Sequence, residues 1–256
     1  MSETKIRTEE VLGGAGLRVV LDAPKANVLD SAMMGSIHRV LDEAKGRSGL
    51  KLLWFSGAGD HFSFGASVPE HVRDRAPAML KAFHGLFFKL ADLAVVTAAT
   101  VRGRCLGGGM ELATFCHRVV AHPSAVLGQP EIQLAVLPPV ASLILPSRIG
   151  QARADDLVLT GRSVAAAEAL AMGLVDEVAE DPDAALTAWA ERELVPKSAA
   201  ALRYAVRAAR WRFNQTLRTE LPAVEKAYLE ELMATHDANE GLAAFLEKRP
   251  PRFTNN

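Results

Sequence analysis

The chain has 256 residues, 49% of them hydrophobic and 23% charged, with a formal net charge of -1 at pH 7. This is the composition of an ordinary soluble globular protein, and the near-neutral charge gives no electrostatic footprint for nucleic acid or an anionic membrane. The opening stretch MSETKIRTEEVLGG has no apolar signal-type run, and the most apolar long stretch, LAVLPPVASLILP (134–146), is too short to cross a bilayer and carries three prolines.

The predicted elements alternate. LRVVL (17–21) reads as a strand. Asp30 then caps a helix whose apolar face is Met33, Ile37, Val40, Leu41 and Ala44. LKLLWFSG (50–57) is a second buried strand, followed by a helix over about 77–91. AVVTAATVRG (94–103) is too β-branched to be read first as helix. RCLGGGMELATFCH (104–117) puts three glycines at a helix start, and HRVVAH (117–122) is another short strand. Strands alternating with helices predict an α/β fold with mainly parallel pairing.

After about residue 150 the pattern changes. ARADDLVLTG and SVAAAEALAMG read as consecutive short helices, with Ser163 as N-cap of the second and Gly173 just past its end. LVDEV (174–178) is a last short strand. From about 183 the chain is alanine-rich and helix-patterned. The predicted organisation is an α/β core over 1–190 and a helical subdomain over 191–256.

Three short stretches could carry chemistry. GDHFSFGASVPEH (59–71) and CLGGGMELA (105–113) each follow a strand, and the second opens a helix. N–H groups at a helix start lack intrahelical partners, and glycine lets a ligand atom approach the backbone. One such N–H from each of two loops makes an oxyanion hole, with Ala66 and Gly108 as donors. Glu111 follows Gly108 by three residues, and Glu131 sits in the stiff stretch LGQPEIQLAVLPP (127–139). Two carboxylates flanking one site can hold and activate a water. Taken singly, each piece has a plainer reading: a tight turn for the glycines, a solvated first-turn charge for Glu111, a surface loop charge for Glu131.

In combination these motifs resemble the crotonase (enoyl-CoA hydratase/isomerase) superfamily over nearly the whole chain. PKANVLD (24–30) resembles its early Pro-Lys-Ala-Asn-Ala-Leu stretch, shortened by about one residue, and FSFGAS resembles its first oxyanion loop. CLGGGMELA and GQPEIQLAVLP resemble the second oxyanion loop and the catalytic-glutamate loop, while LTGRSVAAAEALAMGLVDEV (159–178) and EGLAAFLEKRPPRF (240–253) match later signatures. The resemblance implies a spiral of ββα units with a helical C-terminal trimerisation subdomain, assembled as a trimer or dimer of trimers. It implies an acyl-CoA substrate whose thioester oxygen lies between the amides of Ala66 and Gly108. Coenzyme A then enters as part of the substrate, with no separate cofactor.

Family members that hydrate enoyl-CoAs carry glutamates at the positions of Glu111 and Glu131, so the match favours water addition, with Glu131 as proton donor and Glu111 as base. The CoA moiety would pass Lys25, Phe64 and Gly65, and Phe245 and Lys248 would reach a CoA on a neighbouring subunit. Ser67 stands where many members have aspartate, and Pro138-Pro139 replaces the usual Pro-Gly. These three are expected to shape the acyl pocket. HFSFGASVPEHV and LPPVAS resemble the alicyclic dienoyl-CoA hydratases. The alternatives are a short-chain enoyl-CoA hydratase, an isomerase or thioester hydrolase, or a binding protein on the same fold.

The remaining candidates get plain readings. Cys105 and Cys116 form no metal-ligand or disulfide pattern and are expected as small buried hydrophobes, with no metal site and a reducing, cytoplasmic setting. His61, His71 and His84 have no Ser or Cys partner in a nucleophile-like context and read as surface or packing residues. Phe83, Phe87 and Phe88 read as core, with the acyl pocket as the alternative.

Overall fold

The computed structural model describes residues 4–23 and 25–256; Pro24, the first residue of the PKANVLD stretch, lies outside them. Strand β1 (Ile6–Val11) turns back antiparallel onto β2 (Gly16–Leu21). The helix α1 (Ser31–Lys45) leads to β3 (Leu52–Gly57), and α2 (Ala76–Leu93) leads to β4 (Val96–Val101). The short β5 (Arg104–Leu106) runs into α3 (Gly108–Phe115), which precedes β6 (Arg118–Ala121) and β7 (Val126–Gly128). After α4 (Pro139–Ile149) and α5 (Gln151–Thr160) come β8 (Ser163–Ala165), α6 (Ala166–Met172) and β9 (Glu177–Val178).

Six strands form one sheet in the order β1-β2-β3-β4-β6-β9, parallel from β2 onward. Strands such as β4, buried along their whole length, carry continuous apolar runs because both faces are covered. The predicted α1 is present, with the Asp30 carboxylate accepting from the Met33 N–H and Met33, Ile37, Val40, Leu41 and Ala44 all buried.

A second sheet, β5-β7-β8, was only partly legible. Its strands have three residues each, too few for a period of two to declare itself. It corrects one expectation. Ser163 is not an N-cap: it lies in β8, paired antiparallel with Gly128, and α6 begins at Ala166 with no side-chain cap. The pairing with β7 captures the residues that local propensity alone assigned to helix. The last strand is also shorter than LVDEV, with Leu174 and Val175 buried ahead of it.

The C-terminal third is α7 (Pro182–Glu193), α8 (Ala199–Ala209), α9 (Trp211–Lys226) and α10 (His236–Glu247). Helix α7 runs across residue 190, where the sequence placed a boundary. Helices α9 and α10 fold back on their own chain: Leu217, Leu221, Tyr228, Met233 and Leu242 belong to the same buried cluster as the strands of the main sheet. The backbone of Gly241 in α10 lies so close to Leu134 that a Cβ there would stand 2.2 Å from the Leu134 carbonyl oxygen. The helical tail thereby braces the turn that carries Glu131. Among the described residues no helix is long and apolar enough to cross a membrane.

Candidate active site

The three glycines of the 107–109 run are each demanded by a different neighbour. Gly107 adopts φ +51° with ψ -129°, and a Cβ on it would stand 2.6 Å from the Glu131 carboxylate. A Cβ on Gly108 would stand 2.9 Å from the Phe83 ring and 3.2 Å from the Ala66 nitrogen. A Cβ on Gly109 would collide with the Ser63 side chain at 2.7 Å. Helix-breaking residues persist here because any side chain would push apart the two loops and the second glutamate.

Those loops are locked together. Leu106 N–H donates to the Ser63 carbonyl at 3.0 Å, and Ser63 N–H donates to the Arg104 carbonyl at 3.1 Å. Gly65, at φ +97°, lies so close to the second loop that a Cβ on it would stand 2.8 Å from the Leu106 carbonyl oxygen and 3.2 Å from the Gly108 nitrogen. The Ser63 hydroxyl accepts from Gly65 N–H at 3.0 Å and donates to the Asn27 carbonyl at 2.7 Å. Ala66 and Gly108 consequently lie side by side, and among the described residues neither N–H donates a hydrogen bond to a protein acceptor. Two free N–H groups, one in a loop and one at a helix start, thus stand where a single oxygen could accept from both.

Asn27 was read only as part of a resembling stretch, yet it holds the first loop. It is buried at φ +45°, its amide donates to the carbonyls of Ala58 and His61 at 3.0 and 2.9 Å, and its Oδ1 accepts from Ala23 N–H at 3.0 Å. Left-handed backbone suits asparagine among non-glycine residues. Asn27→Ala is expected to lower the unfolding free energy by about 2–4 kcal/mol through lost and orphaned hydrogen bonds. Urea unfolding measures this, and an unchanged midpoint would contradict the assignment.

Glu111 is 2% exposed. Its Oε1 accepts from Ala141 N–H at 2.7 Å. Ala141 and Val140 are in the first turn of α4, so a helix start faces the carboxylate. Here the diproline has a role the sequence reading did not give it. Pro138 is the N-cap residue and Pro139 the first helical residue, where a missing N–H removes nothing the helix uses. Burial pushes Glu111 up to about 7, against the opposing pull of the Ala141 and Val140 N–H groups. Burial and the neighbouring Glu111 charge push Glu131 well above the ordinary carboxylate range. The side-chain amide of Gln129, fully buried, lies beside the Glu131 carboxyl, 3.2 and 3.0 Å from its two oxygens. The environment thus splits the pair: Glu111 is better held as a carboxylate, and Glu131 better retains a proton.

Both glutamates line one cavity, together with Phe64, Gly65, Ala66, Gly107 and Gly108. Pro138 and Pro139 line it as expected. Ser67 does not: Ala66 and Val68 face the cavity, and in extended backbone the residue between two such neighbours lies on the other side. His71, read as a surface or packing residue, lines the cavity. Its Nδ1 lies 2.8 Å from the Ser67 carbonyl, and burial lowers its pKa, which keeps the ring neutral. Phe83 also lines the cavity while packing edge-on against Phe87 in the core, so one face of that cluster serves each purpose. His84 is buried against Glu225 at 2.5 Å, and His61 packs on Phe64; both are packing residues.

Lys25 is exposed beside the first loop, where Phe64 N–H donates to the Ala26 carbonyl, and Phe64 is 42% exposed at the cavity mouth. Phe245 and Lys248 are exposed at the end of α10 and do not line the cavity of their own chain. Cys105 and Cys116 are buried free thiols; burial raises both, Cys116 to about 12, so neither is a nucleophile at neutral pH. Tyr228 lines the cavity and no local sequence signal marked it. It stands about a hundred residues from the glycine run and reaches the site only through the fold-back of α9.

The sequence profile of the family described as enoyl-CoA hydratase/isomerase matches residues 15–256. The chain is 47% identical over 242 residues to a cyclohexa-1,5-dienecarbonyl-CoA hydratase of Thauera aromatica, covering 94% of each. It is 37% identical over 240 residues to a probable enoyl-CoA hydratase of Mycobacterium tuberculosis, covering 92% of this chain and 93% of that one. The solved structure of an enoyl-CoA hydratase/isomerase from Xanthobacter autotrophicus Py2 superposes with a TM-score of 0.84 at 26% identity, covering 98% of this chain and 99% of that one. With the two-loop amide pair, the two glutamates and the strand order all in place, the chain belongs to the enoyl-CoA hydratase/isomerase family, with the crotonase fold.

Proposed function

We propose that the protein is a hydro-lyase that adds water to cyclohexa-1,5-diene-1-carbonyl-CoA, forming 6-hydroxycyclohex-1-ene-1-carbonyl-CoA in the anaerobic degradation of aromatic compounds. The observation that carries the reaction type is the pair of unequal carboxylates, Glu111 and Glu131, across one cavity from the free N–H groups of Ala66 and Gly108. The 47% identity to the Thauera aromatica enzyme supports the substrate. Leu134, Val136, Leu137, Pro138 and Pro139 line the same cavity, an apolar surface against which an alicyclic acyl group can pack.

The chemistry follows from these positions. The thioester oxygen accepts from Ala66 and Gly108 N–H, which makes the β-carbon electrophilic. Water gives one proton to ionised Glu111 while its oxygen bonds to that carbon, and the displaced π electrons collect on the thioester oxygen as an extended enolate. Protonated Glu131 then delivers its proton to the far carbon of the second double bond. One C–O and one C–H bond form, one double bond is lost, and the remaining double bond stays conjugated with the carbonyl. Proton exchange with solvent resets the pair. Coenzyme A enters and leaves as part of the substrate, past Lys25 and Phe64, with Phe245 and Lys248 offered to a neighbouring subunit's CoA. The same reading includes a homotrimer or dimer of trimers in the cytoplasm, free of metal, membrane and nucleic acid.

Purified protein is expected to convert the cyclic diene ester with a kcat/KM at least about a hundredfold above that for crotonyl-CoA, a difference of about 2.7 kcal/mol in transition-state binding. Preference for crotonyl-CoA would make it a short-chain enoyl-CoA hydratase. Mass analysis after turnover in ¹⁸O-labelled water separates hydration from isomerisation, since only hydration places the label in the acyl product.

A further inference from the structure

Helix α9 does not end in a regular turn. Residues Ala227–Glu231 form a π turn, which adds a residue to the helical repeat, and such turns occur often at functional sites. The residue it presents is Tyr228. Its side chain is 1% exposed, yet its hydroxyl has no hydrogen-bond partner among the described residues. A buried phenol normally finds one, because an unpaired hydroxyl costs about 1–3 kcal/mol. Phenylalanine would fill the same space without that cost, so the hydroxyl is retained against the stability of the unliganded fold.

The surroundings point to a use. Tyr228 lines the same cavity as Glu111 and Glu131. Elsewhere in that wall Met79, Leu80 and Leu134 are apolar, the His71 Nδ1 is already engaged with the Ser67 carbonyl at 2.8 Å, and the Glu131 proton goes to the substrate carbon. Burial, followed by the charges of Glu131 and Glu111, raises the phenol's pKa, so the hydroxyl keeps its proton at working pH. Glu111 accepts, and the Ala66 and Gly108 amides serve the thioester oxygen. A water placed for attack donates to a carboxylate and has a lone pair that needs a donor away from the carbon.

We infer that the Tyr228 hydroxyl donates a hydrogen bond to the oxygen that hydration adds to the substrate. It is a third polar contact to the reacting oxygen beside the two glutamates, supplied by the helical tail. The inference rests on the hydratase reading, and its test is separable from it.

In the Glu131→Gln background interconversion of the unsaturated and hydroxylated esters is slowed about a thousandfold or more, so both can be titrated calorimetrically. Adding Tyr228→Phe is expected to weaken 6-hydroxycyclohex-1-ene-1-carbonyl-CoA about tenfold while leaving cyclohexa-1,5-diene-1-carbonyl-CoA within about twofold. In an otherwise wild-type chain, Tyr228→Phe should lower kcat about tenfold or more, with KM little changed and a melting temperature equal to or above that of the parent. Equal weakening of both esters would make Tyr228 a wall of the cavity only and overturn the inference, as would unchanged binding of both. A wild-type protein that hydrates neither the diene nor crotonyl-CoA would instead overturn the hydratase reading, and the ratio of the two binding constants would still report on Tyr228.

Discussion

Glu131→Gln is expected to lower kcat for hydration by about a thousandfold or more while leaving the affinity for the CoA ester within about tenfold, because it removes the proton donor and keeps the shape. Single-turnover kinetics with the cyclic diene ester measure the first quantity and calorimetry the second. Turnover within tenfold of wild type would sink the two-glutamate scheme. The same substitution has a second consequence with a definite sign. Burial lifts Glu111 to about 7 and Glu131 well above the ordinary range. A carboxyl raised on folding stabilises the fold fully below its unfolded pKa, about 4.3, and that contribution is lost as pH rises through the folded value. Unmutated protein therefore loses stability between about pH 4 and pH 8 through this pair. Glu131→Gln removes one of its charges, so the variant should melt at nearly the same temperature as the parent at pH 4 and progressively above it toward pH 8. Activity and stability move in opposite directions, as expected where a strained charge is kept for chemistry.

The pair also shapes the pH profile. With a single proton shared, kcat/KM passes through a maximum: it falls at low pH as Glu111 is protonated and at high pH as Glu131 loses its proton. The two limbs report apparent values of the coupled pair.

Gly108→Ala is the second large effect. The added methyl would stand 2.9 Å from the Phe83 ring and 3.2 Å from the Ala66 nitrogen, between the two donors of the oxyanion pair. Excluding the thioester oxygen from one donor costs about 2.7–4 kcal/mol in the transition state, or roughly a hundred- to a thousandfold in kcat. The loss should fall on turnover more than on CoA-ester binding, since the adenine and pantetheine portions are untouched. A folded Gly108→Ala protein, checked by circular dichroism, with kcat within tenfold of wild type would refute the assignment of this amide. Phe83→Leu, which opens space for the methyl, is expected to restore part of the loss, and this second variant separates steric blockage from a damaged helix start.

Much of this site was legible in the chain. Strand and helix alternation, the Asp30 cap and the apolar face of α1 are encoded by residues within one or two turns of each other. The glycine run, Glu111 and Glu131 sit at fixed spacing inside short stretches, and their resemblance to one family supplied the chemistry that each residue lacked alone. Where local signals and long-range pairing competed, pairing won: Ser163 has a cap's chemistry but lies in a strand because β7 is there to receive it.

By itself, then, the sequence determined an α/β chain with a glycine run and a glutamate at one helix start and a second glutamate in one stiff turn. Only the tertiary structure decided why all three glycines are needed, since their neighbours Glu131, Phe83 and Ser63 come from three other segments. It also made the diproline, besides a wall of the cavity, the start of α4, whose N–H groups hold Glu111, and brought Tyr228 to the cavity from the far end of α9. The physical reason is common to these cases. Periodicity and capping are written in neighbouring residues, whereas room for a carboxylate, or a donor for an oxygen, exists only once distant segments pack.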